Sequence, residues 1–170
     1  MKFLFLIRHA KSDWGDIQLK DFERTLSKRG LRDAPFMAAK FKELFEIPQK
    51  IISSPAVRAM TTANFFADEF GIDSNEITFN RDIYSNGQKA IPTIISQLDD
   101  SIDSVAVFGH NPDITLLAND LIQDIVGHVP TCTIIKISFD TEFWSEISNS
   151  IGQLEAIEFP KKYFSDANDD

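Results

Sequence analysis

The chain has 170 residues, 43% of them hydrophobic and 25% charged, with a formal net charge of −9. That length fits one domain around one core, and the composition excludes a disordered or low-complexity protein. The acidic balance speaks against a nucleic-acid partner, which needs a net basic face, and the single cysteine, Cys132, excludes an intramolecular disulfide and fits a reducing compartment.

In chain order, "KFLFLI" (2–7) is apolar enough for a strand buried on both faces. Arg8 ends that run too early for a signal-peptide core or a membrane span, and no other long apolar run follows. A cytoplasmic protein without a membrane partner is expected. Helical periodicity over 31–45 contains Pro35, which predicts a kink there or a helix that begins near Asp33. "QKIIS" (49–53) reads as a second buried strand, with Ser54 as N-cap and Pro55 as first residue of a helix to residue 70. A strand near Phe79, a helix over 91–98 and the strand "SVAVFG" (104–109) follow. Gly109 then permits a tight turn, Asn111 a cap and Pro112 the start of a helix over 112–125. "TIIKISF" (133–139) alternates, and "GQLEAIEF" (152–159) reads as a last strand, antiparallel at the sheet edge. Cys132 is expected to be a small buried hydrophobe, and the acidic cluster Asp99, Asp100 and Asp103 a solvated turn without calcium-loop spacing.

Strands alternating with helices predict βαβ units: a single-domain, three-layer α/β/α fold with a mostly parallel central sheet over residues 1–164. Residues 165–170, in the polar run "SDANDD", are expected to form a flexible acidic tail.

Three places where a strand meets a helix carry the chemistry. "IRHA" puts Arg8 and His9 beyond the first strand, where open α/β sheets gather ligands. "SPAVRAMTTA" puts Arg58 in the first turn of a helix near the same edge. "GHNP" holds His110 in the turn before another helix, whose N-terminus favours an anion. Two of three histidines thus occupy equivalent strand ends, 101 positions apart; His128 has no such setting and reads as a loop or surface residue. Two arginines suit bidentate phosphate binding, and an imidazole kept neutral by surrounding positive charge is a nucleophile toward phosphorus.

At these residues the chain resembles the histidine phosphatase superfamily, the phosphoglycerate-mutase-like enzymes. "RHAKSDW", "SPAVRAMTTA" and "GHNP" are most similar to the small bacterial phosphohistidine phosphatases of the SixA type. The resemblance implies a phosphoglycerate-mutase-like fold, His9 as the nucleophile that becomes phosphorylated, and Arg8, Arg58 and His110 as the rest of the phosphate-binding core. It adds Arg24, in "FERTLSKRG", as a further arginine turned toward the anion, and Ser12 as a further donor. It implies no cofactor and no metal, and the motifs of phosphate loops, dinucleotide-binding turns and zinc proteases do not occur.

Two departures stand out: Ala10 replaces the glycine of "RHG", and Thr25 stands where proline often precedes the leucine. The carboxylic acid that larger relatives use to protonate the leaving group has only Asp82, in "RDIYSNG", as a candidate. The implied partner is a protein bearing phosphohistidine, such as a phosphotransfer domain, with phosphate or a similar oxyanion in the pocket. A small-molecule phosphatase or mutase and a noncatalytic phosphoryl-binding module are the alternatives.

Overall fold

Side chains alternate along the first strand: Leu4 and Leu6 enter one hydrophobic cluster, Phe5 and Ile7 another. Both faces of this strand are therefore buried, which demands layers on both sides. The structure, a computed structural model, describes residues 1–15, 17–149 and 151–164. The acidic tail expected at 165–170 lies outside the described residues.

Six strands, β1 (Lys2–Arg8), β2 (Lys50–Ser53), β3 (Thr78–Phe79), β4 (Ser104–Gly109), β5 (Ile134–Phe139) and β6 (Gln153–Glu158), form one sheet in the order β3-β2-β4-β1-β5-β6. The first four are mutually parallel, while β5 runs antiparallel to both β1 and β6. β6 thus lies at the edge and antiparallel to its neighbour, as its sequence suggests. Helices α1 (Lys28–Leu44) and α2 (Val57–Phe70) cover the Phe5 face through Met37, Phe41, Phe66 and Phe70. Helices α3 (Asp82–Ile95) and α4 (Asp113–Ile122) cover the Leu4 face through Ile91, Ile95, Leu117 and Leu121. The result is the expected three-layer fold.

Helix boundaries depart from the sequence reading for identifiable reasons. α1 neither kinks nor starts at Asp33: it begins at Lys28 behind Ser27, whose Oγ accepts the Gly30 N–H at 3.1 Å, and continues through Pro35. Proline deprives only the Leu31 carbonyl of its partner, and Leu31 sits on the exposed side, where water can serve. α2 starts at Val57, beyond Pro55, and Ser54 does not cap it. α3 starts nine residues before the expected 91, because the break at Asn86 (φ −164°, ψ 66°) disrupts the helical period. α4 ends at Ile122, before Gln123 in the left-handed region at φ 53°. The Asn111 side chain bonds Thr115 and the Val129 carbonyl rather than capping α4.

Gly109 is needed for close approach rather than for a left-handed turn: a Cβ there would meet Ile114 at 3.1 and 3.3 Å. Gly30 is stricter still, since a Cβ would stand 2.1 Å from the Lys11 carbonyl oxygen. That contact seats the segment after β1 directly on α1. The acidic turn is no mere solvated loop, because the buried Lys2 ammonium donates to the carbonyls of Asp100 and Ile102 and to the Asp103 carboxylate.

Candidate active site

Arg8 of β1 pairs in register with Gly109 of β4. The next residue on each strand, His9 and His110, therefore stands beside the other beyond the central parallel pair, with ring centroids 5.1 Å apart. This is the carboxyl edge of the sheet, where strand ends face outward between the helix layers. The spacing of 101 seen in the sequence is the register of the two strands.

The backbone around His9 is held on every side. Its N–H donates to the Gly109 carbonyl at 3.0 Å, its carbonyl accepts the Cys132 N–H at 3.1 Å, and the Ala10 N–H donates to Thr62 Oγ1 on α2 at 3.0 Å. Ala10 is buried and its φ is not positive, so this site does not require the glycine of the family pattern. Cys132 is fully buried, as its sequence setting suggests, and burial pushes its thiol well up from the ordinary range.

His9 Nδ1 lies 2.7 Å from the Ala10 carbonyl oxygen. A carbonyl only accepts, so the proton sits on Nδ1 and the lone pair on Nε2. Arg58, in the first turn of α2, donates its Nε–H to that Nε2 at 3.2 Å. Burial is the main force that lowers the His9 pKa to about 3, assisted by His110, Arg58 and Arg8 against the opposing bond to Ala10. Burial, then Arg58 and Arg8, lower His110 to about 4 against the attraction of Asp21. Both rings are neutral at neutral pH.

Ser54 has a different task from the cap expected of it. Its Oγ accepts the Ala56 N–H at 3.2 Å and lies 2.7 Å from His110 Nε2. Among the described residues Nε2 is the one acceptor within reach of the buried serine hydroxyl proton, so the tautomer that satisfies Ser54 carries the His110 proton on Nδ1. That Nδ1 and Arg8 Nε are buried side-chain polar atoms without a hydrogen-bond partner, the two such atoms among the described residues. Arg8 is fixed by its Nη1, which donates to the Val129 carbonyl at 2.8 Å. Two buried N–H groups beside a neutral imidazole lack an acceptor, and an oxyanion supplies one.

Arg24 and Ser12 stand in the same cluster. Arg24 Nη2 donates to Ser12 Oγ at 2.6 Å, Nε to the Asp13 carbonyl at 3.0 Å, and the guanidinium stacks on Trp14 at 3.3 Å. Thr25 does not disturb this placement, as its carbonyl accepts the Asp13 N–H and keeps the two segments together. Arg24 reaches Arg58 through a residue that sequence reasoning missed, Asp21, in a 3-10 turn at Asp21–Glu23. The Asp21 carboxylate accepts from Arg58 Nη2 at 2.9 Å, Arg24 Nη1 at 3.1 Å and the Tyr84 hydroxyl at 2.9 Å. These donors, above all Arg58, hold its pKa below the ordinary carboxylate value against the desolvation that would raise it. The one available signal was the i,i+3 spacing of Asp21 and Arg24. Asp82 is not brought to the pocket: it is exposed on α3 and faces a groove with Ser85 and Lys89. His128 is exposed in a loop, as expected. The start of α4 offers little to an anion, since Asp113 stands in its first turn and the Ile114 N–H is already bonded to the His110 carbonyl. Among the described residues no group of acidic, histidine and cysteine side chains is arranged to hold a metal, and no helix is long and apolar enough to cross a membrane.

A family model, Histidine phosphatase superfamily (branch 1), matches residues 4–83, the stretch that carries Arg8, His9 and Arg58. Over that stretch, just under half of its length, the chain is similar to the histidine phosphatase superfamily. A chloroplastic Arabidopsis thaliana protein of uncharacterised role is 36% identical over 116 residues, 64% of this chain, and the match spans 53% of that relative's length. The crystal structure assigned as phosphohistidine phosphatase SixA of Agrobacterium tumefaciens is 24% identical, with a TM-score of 0.77 over 94% of this chain and 98% of that one. The protein histidine phosphatase SixA complexed with tungstate gives 0.76 at 17% identity over 94% and 98%. A mycobacterial glucosyl-3-phosphoglycerate phosphatase gives 0.67 at 14% identity over 91% and 97%. These likenesses establish a phosphoglycerate-mutase-like fold for the chain.

Proposed function

We propose that the protein is a phosphatase that removes phosphate from phosphohistidine on another protein, through a phosphohistidine formed on His9. The observation that carries this reading is the pair of unpartnered buried donors, Arg8 Nε and His110 Nδ1, beside an imidazole whose Nε2 holds a lone pair. Burial of an unpaired N–H costs about 1–3 kcal/mol, which the pocket recovers when a phosphoryl oxygen accepts from it.

An arriving phosphoryl group takes over both sides of the Arg58–His9 contact. One oxygen accepts the Arg58 Nε–H, and phosphorus faces the released Nε2 lone pair. The bond from Nε2 to phosphorus forms as the bond to the leaving nitrogen breaks, and the departing imidazole takes a proton from water at the solvent-exposed mouth, leaving as the neutral ring. Arg8, Arg58 and His110 spread the charge of the equatorial oxygens, with Arg24 and Ser12 behind them. His9 Nδ1–H stays on the Ala10 carbonyl, which fixes the ring and stabilises the positive charge that develops on it. Water then attacks phosphorus, releases inorganic phosphate and restores neutral His9. None of these steps calls on a metal ion.

Two observations favour a protein-borne substrate. The carboxylate at the pocket, Asp21, is held ionised by arginines and is a poor proton donor at neutral pH, whereas an alkoxide leaving group needs one. The connection from β3 to β4 is used by α3, which packs on the sheet and leaves no segment there for a large lid. The second reading, a small-molecule phosphomonoesterase, draws on the fold shared with the glucosyl-3-phosphoglycerate phosphatase. A turnover screen with phosphohistidine protein, phosphohistidine peptide, phosphoserine and 3-phosphoglycerate at one pH, corrected for spontaneous hydrolysis, decides between them. The highest kcat/KM is expected on the phosphohistidine protein. Equal or greater efficiency on 3-phosphoglycerate overturns this reading, and binding without turnover of any substrate points to a phosphoryl-binding module.

A further inference from the structure

We infer that Asp21 is a specificity-determining residue: its carboxylate at the pocket mouth admits phosphoryl groups on neutral or cationic carriers and disfavours carriers with a carboxylate of their own. The inference rests on the reading of the pocket as a phosphoryl site.

The direction of the mouth follows from burial and from the geometry of displacement. His9 is 7% exposed on the pocket floor, whereas the Asp21 side chain is 53% exposed. In-line transfer to His9 Nε2 places the leaving atom opposite that nitrogen, away from the strand ends and toward solvent. The carrier therefore lies on the side where Asp21, Tyr84 and the 3-10 turn stand. Tyr84 is fixed there by edge-to-face contacts with His110 and Phe22 at 5.5 and 5.0 Å, and its hydroxyl donates to Asp21.

Charge balance gives the selection its sign. Arg8, Arg24 and Arg58 bring three positive charges, and Asp21, bonded to two of them, removes one. The remainder matches a phosphoryl dianion and leaves nothing for a further anion on the carrier. Asp13 and Glu23 are exposed on the flanking segment and offset the exposed Lys20 and Arg81, the latter over the Phe22 ring at 5.0 Å, so the rim adds no net positive charge to the pocket. An imidazole carrier is neutral or cationic and suffers no such repulsion; a phosphorylated carboxylic acid does. Asp21 also stays ionised through the neutral range, because its partners lower its pKa.

Glycerol 3-phosphate and 3-phosphoglycerate differ in a hydroxymethyl against a carboxylate, and so isolate the charge. Calorimetry of both in His9→Ala, and in His9→Ala with Asp21→Asn, measures binding while neither compound is consumed. The expected result is tighter binding of glycerol 3-phosphate, with the ratio of dissociation constants falling roughly threefold to tenfold on Asp21→Asn. A ratio unchanged by Asp21→Asn, with both affinities shifted together, overturns the inference, because a residue that only positions Arg58 acts on both compounds alike. If Asp21→Asn fails to fold, the ratio in His9→Ala alone at low and high salt decides: it must fall as salt screens Asp21, and a constant ratio overturns the inference. Failure of the proposed function would appear elsewhere, as absence of phosphohistidine turnover by the unmodified enzyme, and would leave these binding ratios intact.

Discussion

Strand β1 carries a cation at each end, Lys2 buried and Arg8 half-buried, and the two are treated in opposite ways. At the amino end the Lys2 ammonium has three donors and three acceptors, the Asp100 and Ile102 carbonyls at 2.6 and 2.9 Å and the Asp103 carboxylate at 3.1 Å. At the carboxyl end Arg8 is tethered by Nη1, while its buried Nε finds no partner. Folding alone completes the first site; the second is completed only by an external acceptor. The satisfied end joins β1 to the turn before β4, and the unsatisfied end is where the proposed chemistry takes place.

The largest effect should come from the nucleophile at the unsatisfied end. His9→Ala is expected to lower turnover of phosphohistidine by at least about a thousandfold, with a melting temperature close to that of the unmodified protein. Retained turnover would move the chemistry elsewhere. Next in size is a pH effect on stability. Both histidines have folded pKa values depressed to about 3 and about 4 from an ordinary 6.5. Between pH 6.5 and 5 the unfolded chain thus binds more protons than the folded one, so stability falls as pH falls, by roughly 1.4 kcal/mol per pH unit per histidine at the steepest. Urea unfolding across that range measures the slope, and His110→Ala should flatten it by about half.

Arg58→Ala should weaken vanadate inhibition about tenfold to a hundredfold, the equivalent of losing one charge-assisted bond. An unchanged inhibition constant would remove Arg58 from the anion site. The smallest and most diagnostic pair contrasts the two ends directly. Lys2→Met should destabilise the fold by about 1–3 kcal/mol, since it leaves buried carbonyls unpaired, without changing turnover per folded molecule. Arg8→Met should alter stability by less than about 1 kcal/mol yet abolish tight oxyanion binding. The reverse pattern would dissolve the distinction between the ends.

Much of the pocket was legible because strand ends are marked by abrupt changes of residue type. "FLIRHA" and "VFGHNP" announce two buried strands that end in histidine, and parallel register brings them together. Arg58 and Arg24 were readable from motif resemblance. Ser54 was misread because a serine before proline and a helix has the local pattern of a cap, and only the tertiary structure shows that it orients His110. Asp21 was missed since its meaning depends on Arg58, 37 residues away, and on Tyr84, 63 residues away. The early start of α3 was hidden by the break at Asn86, which no hydrophobic period reveals. Lys2 inside an apolar strand gave no hint that the distant acidic turn would receive it.

The central claim is that His9 Nε2 accepts the phosphoryl group, and the most direct test is to trap it there. The enzyme is mixed briefly with phosphohistidine protein labelled on phosphorus, quenched in alkali, and its peptides mapped. The account predicts an acid-labile, alkali-stable label on the peptide that contains His9, absent from His9→Ala and formed at least as fast as steady-state turnover. Label on another residue, label that persists in His9→Ala, or full turnover with no labelled enzyme under conditions that preserve free phosphohistidine would contradict it.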